Sequence, residues 1–362
     1  MPLNPRTNCS TQSLSPHRRL LRKQSGIAIL LFTVLILLVG TSIFLGVVNR
    51  SPFLEQQRDI SEDLADTKEA LLTYAMFYPE LYGQGAGRLP CPDLNGSGAP
   101  GDCSARIGRL PLQDNPGGSP FAFSSEFTGI DRQYWYAVSA NFNANSSPVN
   151  TASVAELTLD GVGGYAAILI APGEAINAQA RRSNAVADYL EGGNGTDNDY
   201  IRGFGVDPNA FNDELIGITR EELMSLSVVK VAEAIRDVLH DYHLDLLVVT
   251  LGDVLGLPGA LGLPALPLSG DYPDGLVVTV LGLPVDIAES LIFNTVMTLF
   301  GPAWFTTDGW AAVTDYEFLS PNPPTIQFQN CNIVFTLEYD DNGTPLNTAD
   351  DVSILNKSGN RC

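Results

Sequence analysis

Basic residues are scarce in this sequence outside its first 50 positions. Six of the 20 Lys and Arg residues lie in that segment, where Asp and Glu are absent, and the remaining chain carries 14 basic against 41 acidic residues. The net charge of this remainder is −27. Because so acidic a surface repels phosphate groups, the composition predicts that nucleic acid is not a partner. It is typical of an exported protein with a soluble surface, and it would suit cation binding.

Charge is absent altogether from residues 27–48, a run of 22 mostly apolar residues. A helix that crosses a bilayer needs about 20 such residues, so the run predicts a transmembrane helix. The flanking bases lie on its N-terminal side, which places residues 1–26 in the cytoplasm and the chain after Arg50 across the membrane. No cleavage site of an ordinary secretory signal follows Val48, so an uncleaved signal anchor is the alternative.

Cysteine is also rare, with five residues in 362. Cys9 lies in the cytoplasmic segment, and the other four form two local pairs that are 12 and 31 residues apart. An even number of cysteines in an exported body suggests disulfides. Among three possible connectivities the local one is expected, Cys91–Cys103 and Cys331–Cys362. Four reduced cysteines in the core are the alternative.

The residues after the apolar run continue a helical pattern. Apolar residues recur at helical spacing between charged ones, which predicts an amphipathic helix within residues 49–82. These apolar positions are Ile60, Leu64, Leu71, Ala75 and Tyr78.

The rest of the chain, from about Gly83, is rich in Gly, Pro, Asn and Ser, with short apolar runs between them. This composition is typical of strands and long loops. The clearest predicted strands are residues 164–171 and 332–338. Thr219 and Glu222 form a capping box, which predicts the start of a helix over residues 219–243.

The N-terminus resembles the class III signal of type IV prepilins and type II secretion pseudopilins. The resemblance rests on a basic leader, Gly26 and an apolar run that follows at once. In that family a prepilin peptidase cleaves after the Gly, here between Gly26 and Ile27. Further blocks are similar to a subgroup of large prepilin-like proteins, most specifically Leu-Pro-Cys-Pro-Asp at 89–93. The other blocks are residues 71–75, 107–111, 134–139, 166–173, 187–192, 211–215 and 219–223.

This resemblance implies an α+β fold in which a long, partly transmembrane N-terminal helix packs on an antiparallel-sheet head with large insertions. The implied organisation is a leader (1–26), a transmembrane and filament-core helix (27–48), its continuation (49–82) and a globular head (83–362). It implies an inner-membrane protein with a periplasmic head, or a subunit of an extracellular pilus. The implied partners are prepilin peptidase, the inner membrane and other pilins or pseudopilins.

One position departs from the family pattern. Major pilins carry Glu at the fifth residue of the mature chain, where it pairs with a neighbouring N-terminal amine. The fifth residue counted from Ile27 is Leu31. In that family the loss of this Glu is tolerated in minor subunits, notably those thought to start or cap a filament, so the departure favours a minor subunit.

Residues 245–300 are unusually apolar and repeat Leu-Gly-Leu-Pro three times. Pro258, Pro264 and Asp253 argue against a second membrane-spanning helix in this insert. We expect either an inserted apolar subdomain or a surface that docks a partner.

The turn after Cys91 carries oxygen-bearing side chains at alternate positions and a Gly at the sixth position, Gly98. This spacing lets ligands converge on Ca²⁺, and the candidate ligands are Asp93, Asn95, Ser97 and Asp102. Ser104 stands where a calcium loop carries its last acidic ligand. The alternative is a polar turn closed by Cys91–Cys103, and no other cofactor is expected to be required.

Motifs of catalysis are missing as well. The sequence has three histidines and contains no nucleophile elbow, phosphate-binding loop or dinucleotide fingerprint, and no carboxylate pair stands out. No catalytic residue is therefore predicted. The expected function is that of a structural minor pilin or pseudopilin in a type IV pilus or type II secretion system. A pilus-tip adhesin or substrate-binding subunit, and a signal-anchored periplasmic hydrolase, are the alternatives.

Overall fold

The computed structural model describes the following residues: 29–39, 41, 52–113, 134–146, 148–176, 179, 181, 185–195, 198–202, 211–245, 285–317, 323–340 and 352–362. The chain divides into two compact units, Met1–Asp59 and Ile60–Cys362. The second unit contains all the described strands and the described core.

The prediction of a partly transmembrane N-terminal helix is wrong for the part of the chain that the structure describes. None of the described helices is long and apolar enough to cross a membrane. The apolar run is described as helical over residues 29–39 and at residue 41. The two longest described helices, Pro52–Met76 and Arg220–Asp245, carry many charged residues.

Helix α1, Pro52–Met76, begins at a proline, whose fixed φ suits the first helical position. From Ile60 onward it buries the predicted apolar stripe, with Leu64, Leu71 and Ala75 all removed from solvent. A short helix α2, Tyr78–Tyr82, follows and ends at Gly83, which adopts the left-handed conformation common after helices. The predicted amphipathic helix is thus confirmed, with a break at Phe77.

The first sheet has six strands, and β4 lies at its centre. Its order is β1-β2-β4-β3-β5, and β6 also pairs with β4. All of its pairs are antiparallel except β3 with β5. The strands are β1 Ile107–Arg109, β2 Trp135–Val138, β3 Leu157–Leu159, β4 Val162–Ala171, β5 Asp199–Tyr200 and β6 Glu214–Thr219.

Both faces of this sheet are buried at β2 and along the second half of β4. Along β2, Tyr136 and Val138 face the main core, whereas Trp135 and Ala137 face a second, smaller cluster with Ile168 of β4. This alternation follows from the two-residue repeat of a strand. It explains why all four residues of β2 are buried, a pattern expected for a strand covered on both sides.

The second sheet is an antiparallel meander in the order β10-β9-β8-β7. Helices α4 and α5 precede it, and Phe293 of α4 stacks on Tyr316 of β7 at 5.0 Å between ring centres. The elements are α4 Val285–Leu299, α5 Ala303–Thr307, β7 Thr314–Glu317, β8 Thr325–Phe328, β9 Val334–Asp340 and β10 Val352–Ser358. Two 3-10 turns, Val186–Asp188 and Trp310–Ala312, complete the described secondary structure.

Helix α3, Arg220–Asp245, begins at the predicted capping box. The Thr219 Oγ1 accepts the backbone N–H of Glu222 at 3.1 Å, and the Glu222 carboxylate accepts the N–H of Thr219 at 2.9 Å. Lys68 of α1 donates to the same carboxylate at 2.7 Å. Burial alone would raise the pKa of Glu222, but the hydrogen bonds from Lys68 and Thr219 lower it below its ordinary value. The capping box therefore also joins α1 to α3.

We expect Thr219→Ala to lower the free energy of unfolding by about 1 kcal/mol, because the N–H of Glu222 would lose its partner. Urea unfolding measures this change. Thr298→Ala is the matched control, since that hydroxyl is exposed and bonds only to Asn294 within α4. Equal losses in the two variants would show that the capping box does not stabilise the fold.

Candidate functional site

Both local cysteine pairs form disulfides in the structure. The Cα atoms of Cys91 and Cys103 are 5.0 Å apart, and those of Cys331 and Cys362 are 3.9 Å apart. The first disulfide closes the turn that follows the Leu-Pro-Cys-Pro-Asp block. The second ties the C-terminal residue to the turn before β9.

The turn closed by Cys91–Cys103 is anchored on β1. The N–H of Asp93 donates to the Arg109 carbonyl at 2.9 Å, and the N–H of Arg109 donates back at 2.8 Å. A side chain at Gly108 would place its Cβ 2.6 Å from the Asp93 carbonyl oxygen, so this close approach requires glycine. The two Pro-containing blocks of the sequence therefore meet as one backbone bridge.

The candidate calcium ligands are occupied by the backbone of their own turn. The Asp93 carboxylate is buried and accepts three N–H groups, from Asn95 at 3.1 Å, Gly96 at 2.9 Å and Gly98 at 2.7 Å. The Asn95 Oδ1 accepts the N–H of Ser97 at 2.8 Å. Asn95, Ser97 and Asp102 are exposed.

These contacts give the turn a structural role without any ion. Within the described ranges, no group of three or more His, Cys, Asp or Glu side chains could hold a metal ion. Calcium binding at Asp93, Asn95, Ser97 and Asp102 stays a prediction.

A buried ion pair lies beneath this region. Arg88 donates to the Asp308 carboxylate at 2.7 Å, and both side chains are about 5% exposed or less. The second Asp308 oxygen accepts the N–H of Gly85 at 2.6 Å. A Cβ at Gly85 would lie 2.6 Å from that oxygen, so glycine is needed where the chain approaches the carboxylate.

The same arginine holds the loop of residues 140–154. Its second guanidinium nitrogen donates to the carbonyls of Ala144, at 3.1 Å, and Ser146. Within the loop, the Asn143 Nδ2 donates to the Ala140 carbonyl at 3.1 Å. The Asn150 Nδ2 donates to the Asp308 carbonyl at 3.0 Å. Because these amides and the ion pair are buried, they fix the backbone of the loop.

An open cleft of about 650 Å³ lies between this loop and the disulfide turn. It falls within the range of about 300–1,000 Å³ in which small-molecule sites occur. Its polar lining is unusually rich in carboxamides, and the lining includes Asp102, Cys103, Asn141, Asn143, Asn145 and Asn150.

A smaller cavity of about 270 Å³ lies on the other side of β1, beside Trp135 and Val186. The Arg109 guanidinium lies 6.0 Å from the Trp135 ring centre and 5.6 Å from that of Tyr189. Arg109 thus serves as a cation held between two aromatic rings, which secures the turn of residues 185–189 against the sheet.

Two buried carboxyl groups meet near the start of β6. The Asp213 Oδ2 accepts the N–H of Glu191 and the Nδ2 of Asn194, both at 3.1 Å. The Glu191 carboxylate accepts the Nε2 of Gln179 at 2.7 Å and the N–H of Asn212 at 3.2 Å. Burial, followed by the charge of Glu191, raises the pKa of Asp213 to about 7. Asp213 therefore binds a proton up to about neutral pH.

Several predicted sites fall outside the described residues. These include the processing residues Gly26 and Ile27 and positions 246–284 of the apolar insert. The C-terminal end of that insert forms α4, whose Phe293, Val296 and Met297 are buried in the main core. This part of the insert is therefore a component of the head.

Sequence reasoning did not find the Arg88–Asp308 pair, the Asp213–Glu191 pair or the cleft. All four charged residues of the pairs lie among the 41 acidic and 20 basic residues without a local motif that joins them. Arg88, Glu191 and Asp213 do lie in or beside the sequence blocks that carry the family resemblance. Asp308 lies in none of them.

Comparisons of the chain with protein-family models, with curated proteins and with solved structures find no match.

Proposed function

We propose that this chain is a structural minor subunit of a pilin-like assembly, either a type IV pilus or a type II secretion system. Its charge-free segment, residues 27–48, packs with the corresponding segments of neighbouring subunits after a prepilin peptidase removes the leader at Gly26. The acidic head lies on the periplasmic side of the inner membrane, or at the surface of a pilus.

The observation that carries this proposal is the position of α1. This 25-residue helix directly follows the charge-free segment, and from Ile60 it lies against the core of the sheet-containing head. A head built around one N-terminal amphipathic helix is suited to display along a helical assembly. The two disulfides suit a head that works outside the reducing cytoplasm.

Leu31 supports a minor position in the assembly. A carboxylate within a packed apolar segment is costly unless a partner compensates it. With Leu31 in place of Glu, the segment buries no carboxylate and forms no ion pair with the N-terminal amine of a neighbouring subunit. This suits a subunit that begins or caps a filament.

We expect the chain to begin at Ile27 after coexpression with an active prepilin peptidase, because cleavage between Gly26 and Ile27 removes the leader. Intact mass and N-terminal sequencing, each with and without the peptidase, measure the cleavage. Gly26→Val is expected to retain the leader, since its side chain obstructs the scissile site.

The matched control is the neighbouring Ser25→Ala, which should be cleaved like the unaltered chain. An intact leader in the unaltered chain beside an active peptidase would overturn the proposal and favour the signal-anchored alternatives.

A binding role for the head is the second candidate, and the cleft beside the disulfide turn favours it. Such a role would make the chain a receptor or adhesin within the same assembly. The chemistry of that cleft decides which ligand it suits.

A further inference from the structure

The side-chain nitrogens of the cleft are already used within the protein. The Asn141 Nδ2 donates to the Val154 carbonyl at 2.9 Å. The Asn145 Nδ2 donates to the Asp102 carbonyl at 3.0 Å. Because these bonds orient both amides, the orientation of each Oδ1 is also set.

The side-chain oxygens of the same two asparagines take no part in hydrogen bonds within the described protein. Across the described ranges, the Oδ1 atoms of Asn141 and Asn145 accept no hydrogen bond, and the Asp102 carboxylate accepts hydrogen bonds only from Ser104 and from its own backbone N–H. A carboxylate has about four acceptor positions, so Asp102 retains capacity for a ligand. The cleft therefore presents acceptors and calls for a ligand that donates hydrogen bonds.

The charges around the cleft leave one negative charge without a partner. Arg88 is balanced by Asp308 at 2.7 Å, and Arg106 is balanced by Glu156 at 2.9 Å. Asp102 is exposed and forms no ion pair within the described part of the chain. The cleft therefore matches a ligand with a single positive charge.

The apolar part of the lining points to a ligand with an aliphatic stem. Ala140, Ala152 and Val154 line the same cleft and are exposed, with Val154 at 65%. Lysine and arginine side chains pack their methylene groups on such surfaces while the charged group remains with polar partners. The volume of about 650 Å³ also exceeds what one charged group fills and admits the neighbouring residues of an extended chain.

We propose that this cleft binds one lysine or arginine side chain of an extended segment of a partner polypeptide. Asp102 pairs with the cationic group, the Oδ1 atoms of Asn141 and Asn145 accept its remaining N–H groups, and Val154 contacts the stem. The buried pair Arg88–Asp308 keeps the loop in place before the ligand arrives. This assignment does not depend on the proposed role in a filament.

The test is calorimetric titration of the full-length protein, kept in a zwitterionic detergent, with the peptide acetyl-Ala-Arg-Ala-amide. Citrulline in place of arginine preserves the shape of the side chain and removes its charge. We expect the arginine peptide to bind and the citrulline peptide to bind about fivefold more weakly, the upper end of the range for an exposed ion pair. Asp102→Asn should cause a similar loss for the arginine peptide only.

Asp237→Asn is the matched control, because Asp237 is an exposed carboxylate on α3, pairs with Arg236 and does not line the cleft. It should leave the affinity unchanged. Val154→Lys supplies a second test at a largely exposed position, where an added ammonium group should compete for Asp102 and lower the affinity for the arginine peptide. This variant keeps the test valid if Asp102→Asn fails to fold.

Three outcomes would overturn the proposal. Equal affinity for the arginine and citrulline peptides would show that the positive charge of the side chain does not contribute to binding. Equal affinity for agmatine, a free guanidinium compound, would indicate a small cation instead of a polypeptide. Binding of Ca²⁺ that is lost in Asp102→Asn, without binding of the arginine peptide, would indicate a metal site.

Discussion

Asp213→Asn is expected to stabilise the protein increasingly as the pH rises from about 4 to about 7, with a gain of up to about 4 kcal/mol. The Asp213 carboxyl is 3% exposed, and burial followed by the charge of Glu191 raises its pKa to about 7. Asn keeps an oxygen for the N–H of Glu191 and the Nδ2 of Asn194. Asn is neutral at every pH, so it places no second negative charge beside Glu191.

The direction of this effect follows from proton binding. The pKa of Asp213 is raised in the folded chain, so between about pH 4 and pH 7 the folded state holds a proton that the unfolded state has released. The folded state therefore loses stability relative to the unfolded state across this window. Below about pH 4 both states are protonated, and the difference between variant and wild type becomes constant.

Urea unfolding of both proteins at several pH values measures this difference. Asp237→Asn, which alters an exposed carboxylate, should shift stability by less than about 0.5 kcal/mol at every pH. A pH-independent difference between Asp213→Asn and the wild type would show that the two carboxyl groups do not compete for a proton.

Asp308→Asn is expected to lower the free energy of unfolding by about 3–5 kcal/mol, the usual cost of breaking a buried ion pair. The variant leaves the Arg88 guanidinium buried without its counter-charge, in a site where both partners are about 5% exposed or less. Burial of an unpaired charge is far more costly than the loss of a surface contact. Chemical unfolding at neutral pH measures the loss.

Glu221→Gln provides the control for this prediction. It breaks the ion pair between Glu221 and Arg361, whose atoms are 2.8 Å apart but whose side chains are 54% and 69% exposed. We expect a loss of stability below about 1 kcal/mol for Glu221→Gln.

A double-mutant cycle with Arg88→Met and Asp308→Asn should show strong coupling, and purely additive losses would contradict the assigned pair.

Local patterns predicted the elements whose stabilising contacts lie nearby in the sequence. The apolar residues that α1 buries recur at helical spacing, and the capping box joins residues only three apart. The strand expected over residues 164–171 lies within β4, and the strand expected over 332–338 overlaps β9. The partly transmembrane helix expected from the apolar run of 27–48 is wrong for the described residues, among which no helix is long and apolar enough to cross a membrane.

The candidate sites could not be predicted in the same way. Arg88 and Asp308 are 220 residues apart, Asn145 and Asp102 are 43 apart, and Asp213 lies 22 residues from Glu191. A charged or amide side chain in a loop has no periodicity that reveals its partner. Only the packing of both sheets and α3 around the main core brings these groups together.

The sequence by itself thus determined the acidic character of the body, the charge-free N-terminal run, the amphipathic helices and the turn-rich head. These properties depend on composition and on contacts within a few residues. The tertiary structure alone decided which carboxyl group has a raised pKa, which arginine is buried and which oxygens line a cleft. The physical reason is that burial and electrostatic environment arise only when distant segments exclude water together.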